Sequence, residues 1–158
     1  MKNIGFSIYK KQELIKLLKI FHPDIVQVPL NLFNQSFNTP EVNFLKKRFK
    51  FKIYARSIFL QGVLLSSKDN LPKNLIKYKK LFHNYEKFLI KNKIGKLDAC
   101  LNFVKNSFFD KIIIGFESKD QLNKILDTFK NRYNKQINFK KLNVNFQLLI
   151  DPRRWQKI

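Results

Sequence analysis

One cysteine, two histidines and eleven carboxylates are all that 158 residues offer for thiol, metal and acid–base chemistry. A single thiol excludes a disulfide framework. Cys100, inside the apolar stretch LDACLNFV, reads as a reduced core residue rather than a nucleophile. No apolar run approaches the roughly 20 residues of a membrane-spanning helix, and the first residues lack the apolar core of a signal peptide. The expectation is a soluble, cytoplasmic protein with no membrane partner. Paired carboxylates, a nucleophile with its base, and His/Cys/acid groups at metal-ligand spacing are all missing, so no metal and no catalytic residue is assigned. His22 precedes Pro23, and His83 sits in KLFHNYEKF. Both read as surface or boundary residues. With no low-complexity linker, no second repeat and no break in composition, residues 1–158 read as a single domain.

What is present is apolar and basic. Hydrophobic residues make up 44% of the chain, 17 of them phenylalanine, which rules out intrinsic disorder. The net charge of +21 invites a nucleic-acid reading. Yet only five of the 32 basic residues are arginines, and the lysines are spread along the chain. Lys, Asn, Ile and Phe are abundant together, and all four have A/T-rich codons, so compositional drift accounts for the charge. Attraction to nucleic acid is then only non-specific, by counterion release. A recognition helix and an aromatic stacking platform are both absent from the pattern.

Apolar runs of strand length alternate with stretches of helical spacing. Residues 3–9, NIGFSIY, form the first strand candidate, followed by Leu14, Leu17, Leu18 and Phe21 at helical intervals. DIVQVPL, residues 24–30, ends on Pro29 as a strand end does. Thr39, Pro40 and Glu41 make a helix start. Residues 51–59 are the third strand. A long helical stretch over residues 72–93 and a second helix after Gly95 lead to KIIIGF, the fourth strand, and to a helix capped by Ser118. Four strands alternating with helices mean parallel βαβ units in an α/β fold. Apolar runs such as KIIIG predict cover on both sheet faces. The less regular tail, residues 134–158, reads as a docking segment with Trp155 as its apolar plug.

IGFSIY, DIVQVPLNLFNQ, IYARSIFLQGVLL, LNFV, IIIGFESKDQL and LIDPRRW, in that order, resemble successive landmarks of the aldo/keto reductase family. That family comprises (β/α)8 barrels that reduce carbonyl compounds with NADPH. The resemblance spans the chain but only the second half of such a barrel, strands five to eight. It therefore implies a half TIM barrel of about four parallel βα units, a truncated oxidoreductase segment.

The resemblance also assigns residues. Ser7 and Gln27 would hold the nicotinamide carboxamide of NADP or NAD. Arg56 stands where the family commonly has an aromatic ring, and Ile8 where it usually has Asn. Ser57, Phe59, Gln61 and Gly62 match the loop around the pyrophosphate; an ordinary turn at Gly62 is the simpler account of them. Gly115, Ser118 and Gln121 match the phosphate-binding start of the last helix. Glu117 replaces a basic residue there, and Lys124 and Ile125 stand in place of an adenine-contacting Glu-Asn pair, so the choice between NADP and NAD stays open. The family's Asp, Tyr, Lys and His tetrad belongs to the other half of the barrel. None of Tyr9, Tyr54, Tyr78, Tyr85 and Tyr133 stands in its context. The segment is therefore expected to be inactive alone, and to pair with a complementary N-terminal half-barrel or with itself through open sheet edges. A non-catalytic cofactor-binding remnant is the alternative, a basic nucleic-acid-binding module the third.

Overall fold

A computed structural model describes residues 3–131 and 136–157; Tyr133 and the outermost parts of the 134–158 segment lie outside them. Its centre is a four-stranded sheet, all parallel, in the order β1 (Gly5–Ser7), β2 (Ile25–Pro29), β3 (Lys52–Arg56), β4 (Lys111–Ile112). Each strand is joined to the next by helix: α1 (Lys11–Leu17), α2 (Pro40–Phe49), then α3 (Lys79–Asn92) and α4 (Lys96–Lys105). The chain is an α/β protein of four parallel βα units, the architecture of a partial TIM-type barrel.

Register explains the layering. Gly5 pairs with Ile25, and a Cβ on Gly5 would lie 2.1 Å from the Ile25 carbonyl oxygen, so only glycine permits this approach. Alternate residues Phe6, Ile8, Val26, Val28 and Ile53 pack with Leu14, Leu18, Phe37, Val42 and Phe51 in one apolar cluster under the helices. The opposite face reads Ser7, Gln27, Tyr54, Lys111 in one register row, with Arg56 and Ile113 above Tyr54 and Lys111. Lys111 lies over the Tyr54 ring, 5.6 Å from its centroid. Cover on both faces is thus not what the structure has. One face is sealed by helices and the other is polar.

Local signals account for the helix ends. Thr39 Oγ1 accepts the Val42 amide at 3.3 Å, and Pro40 opens α2. Glu13 reaches back from α1 to the amides of Tyr9 and Lys10 at 2.8 and 3.0 Å. The long segment between β3 and β4 is not one helix: residues 73–78 form a 3₁₀ turn before α3. Helix α3 buries Phe82, Tyr85 and Leu89, and Phe33 meets both rings edge-on, at 5.3 and 5.4 Å. Such contacts contribute about 0.5–1.5 kcal/mol each beyond burial. Cys100 is buried on α4, and desolvation pushes its thiol up to about 12.

β4 is shorter than the sequence predicts. After Ile112 only the Ile113 amide continues the ladder, to the Ala55 carbonyl at 2.7 Å, before the chain turns into α5 (Lys119–Lys130). Asp110 fixes where β4 begins: it accepts the Ile53 amide at 2.7 Å and the Lys46 ammonium at 2.9 Å. Beyond residue 136, a 3₁₀ turn (Phe139–Leu142), α6 (Gln147–Ile150) and a final 3₁₀ stretch follow. Gln35 ties this segment down, donating to the Leu32 and Phe139 carbonyls at 2.9 and 2.8 Å. Trp155 packs on the main core, and its indole N–H donates to the Leu149 carbonyl at 3.0 Å.

Candidate functional site

Parallel strands present their C-terminal ends together, which is where α/β proteins place ligands. Here the segment after β3 is unusual. Ser57, Leu60 and Gln61 take φ of 58°, 49° and 54°, and Gly62 follows at 79°. Left-handed backbone costs a non-glycine residue on the order of 1 kcal/mol. Gly62 alone therefore does not account for the loop. Asn31, 1% exposed, helps to hold it: its Nδ2 donates to the Ser57 carbonyl at 3.1 Å, and its Oδ1 accepts the Phe33 and Asn34 amides at 3.0 and 2.9 Å. Sequence reasoning missed Asn31. The available signal was a polar amide inside the otherwise apolar PLNLF.

Facing this loop across β4 is the N-terminus of α5. Ser118 Oγ accepts the Gln121 amide at 3.1 Å, and Gln121 Oε1 accepts the Glu117 amide at 2.7 Å. Between loop and helix lies a cavity of about 590 Å³. Seven of the ten expected residues line it: Arg56, Ser57, Phe59, Gln61, Gly62, Gly115 and Gln121, joined by the side chain of Glu117. Ser118 caps the helix and is not on the wall. A larger cavity of about 750 Å³, between residues 9–16 and the C-terminal segment, contains none of the ten.

Ser7 and Gln27 also lie outside the 590 Å³ cavity, and they are occupied. The Ser7 hydroxyl donates to Gln27 Oε1 at 3.3 Å and accepts from Arg56 Nε at 3.3 Å. Arg56 donates further to the Ile8 carbonyl and to Ser57 Oγ, at 3.3 and 3.4 Å. Its guanidinium lies 4.0 Å from the Tyr9 ring centroid, and Arg153 lies 3.2 Å from the same centroid. Asp151 holds Arg153 with two bonds, 2.8 and 2.7 Å, which keeps the Asp151 carboxyl below the usual carboxylate range against the effect of burial. Burial shifts the Arg56 guanidinium downward, the nearby Tyr9 acting against this. In the expected amide clamp, Ser7 is therefore engaged by Arg56 and Gln27 Oε1 by Ser7.

Among the described residues no group of three or more His, Cys, Asp or Glu is placed to hold a metal, and no helix is long and apolar enough to cross a membrane. No protein-family model matches the sequence, and no curated protein sequence matches it. Among solved structures the chain is similar to a glycerol dehydrogenase from Gluconobacter oxydans, at 13% identity and a TM-score of 0.46, over 87% of this chain and 53% of that one. The chain thus spans about half the length of that protein. A likeness so shallow adds nothing to the topology read from the strands themselves.

Proposed function

We propose that this chain is the cofactor-side segment of an aldo/keto reductase-type oxidoreductase, binding the phosphate-bearing part of NADP or NAD in the cavity between the 57–62 loop and α5. One observation carries the reading: seven residues named by the family resemblance, five within residues 56–62 and the other two at Gly115 and Gln121, line a single cavity at the C-terminal ends of β3 and β4. Its size falls in the roughly 300–1,000 Å³ range of small-molecule sites. The chemistry suits phosphate at the start of α5, where the helix carries the positive end of its dipole.

Glu117 on the wall disfavours an added phosphate, so NADP gains nothing over NAD from this site. When bound, the dinucleotide would supply hydride chemistry; these residues would only bind and orient it. The resemblance puts the family's tyrosine, lysine and histidine in the other half of the barrel, and on this reading the segment alone turns over no carbonyl substrate. Titration of the purified chain with NADPH, NADH and ADP tests the reading: saturable binding of all three supports it, and binding of none removes it.

A further inference from the structure

A third cavity takes no part in this reading. It lies between the segment after β2, the end of α4 and residues 136–140, and encloses about 560 Å³. Six of its lining residues are carboxamides: Gln35, Asn38, Asn102, Asn106, Gln136 and Asn138. Among the described residues no carboxylate lines it, and Lys140 is the one cation on its wall. These residues suit neither a metal ion nor a multiply charged anion, which carboxylates and guanidinium forks would recognise.

The amides are not mutually satisfied. Asn102 is 7% exposed, and its Nδ2 has no partner. Its Oδ1 accepts from the Asn106 amide, which leaves Asn106 Oδ1 open. Gln35 spends its Nε2 on two backbone carbonyls, which leaves Oε1, and Asn138 Oδ1 accepts the Lys140 amide, which leaves Nδ2. The cavity wall therefore presents the buried Asn102 donor beside the carboxamides of the exposed Asn106, Gln136 and Asn138. A buried unpaired donor is rare in folded proteins and calls for an occupant. Hydroxyl groups both donate and accept, so vicinal hydroxyls complement such a wall. Phe103, Ile137 and Phe139 supply apolar surface for a C–H face.

We infer that this cavity binds a neutral monosaccharide. The test titrates D-glucose, D-galactose and N-acetyl-D-glucosamine into the whole chain, with glycerol as control, read by saturation-transfer NMR and calorimetry. One ring sugar binds saturably at one site, with a Kd on the order of 1–10 mM. Asn102→Leu, which keeps the volume and removes the unpaired donor, weakens binding at least tenfold; Gln136→Ala, at the exposed rim, weakens it several-fold and decides the matter should the first variant fold poorly. Any of three results overturns the inference: no sugar bound at about 50 mM, binding unchanged in Gln136→Ala, or glycerol giving the same response. An Asn102→Leu chain that melts higher beside a wild type that binds no sugar would assign the unpaired amide to solvent alone.

Discussion

Arg56 joins the Ser7–Gln27 pair to the proposed cofactor cavity. It satisfies Ser7 and stacks on Tyr9, so a carboxamide entering between Ser7 and Gln27 would have to displace a charge-assisted contact. Arg56 also lines the proposed phosphate cavity, so Arg56→Ala is predicted to weaken ADP by about three- to tenfold and NADPH by less, since it also frees Ser7, with calorimetry reading the difference. Equal weakening of both would mean that Arg56 does not obstruct the Ser7–Gln27 pair. Four carboxylates, Glu13, Asp69, Glu86 and Asp151, are held below their ordinary values, and Glu13 and Asp151 illustrate the acid limit this sets on stability. Backbone amides of Tyr9 and Lys10 hold Glu13 below its ordinary 4.5, and Arg153 holds Asp151 below its ordinary 3.8. A group whose folded-state pKa is lowered stabilises fully above its unfolded value and loses that contribution as pH falls through the lowered one. The melting temperature should therefore decline as pH drops below about 4.5, and Glu13→Gln with Asp151→Asn should flatten the decline.

Among the elements, β1 and β4 are the weakest, with three and two residues and one ladder each. Gly5→Ala forces a Cβ onto the Ile25 carbonyl and should cost at least about 2 kcal/mol in denaturant unfolding. Gly115→Ala meets nothing within 4 Å and should change stability by less than about 0.5 kcal/mol. Asp110→Ala removes the acceptor of the Ile53 amide and the partner of Lys46, and should cost about 1–2 kcal/mol. The strand and helix succession was legible because apolar runs, Thr39 and Ser118 are local signals. The shortness of β4 was not, because its end is set by the neighbouring strand and not by KIIIGF itself. The polar face was legible in principle: IVQVP and KIYAR alternate, and their Gln27, Tyr54 and Arg56 belong to one side. The left-handed run at Ser57, Leu60 and Gln61 has no sequence signature, since none of the three is a residue that favours it. The resemblance named Ser7 and Gln27 and marked Arg56 as a departure, but the bonds from Arg56 to Ser7 and from Ser7 to Gln27 depend on side-chain direction that a linear sequence does not carry.

At the scale of the whole molecule, the sheet ends at both sides. β1 pairs only with β2 and β4 only with β3 among the described residues, and Ile113, Phe116, Leu126 and Phe129 lie exposed near the β4 edge and on α5. We expect the chain to self-associate through Leu126 and Phe129 of α5, which lie off the cofactor cavity; light scattering should give a mass above one chain, and Leu126→Lys with Phe129→Lys should return it to a monomer. A monomeric wild type would contradict this. The polar rows of the other face favour hydration over burial, so the association is not expected to close that face. The central claim is that the cavity between the 57–62 loop and α5 binds a nucleotide cofactor, and calorimetric titration of NADPH into the wild-type chain and into Gly115→Leu tests it most directly. One saturable site in the wild type, lost when leucine fills the cavity in a chain that still melts cooperatively, is the predicted result; no binding, or binding that Gly115→Leu leaves intact, would contradict it.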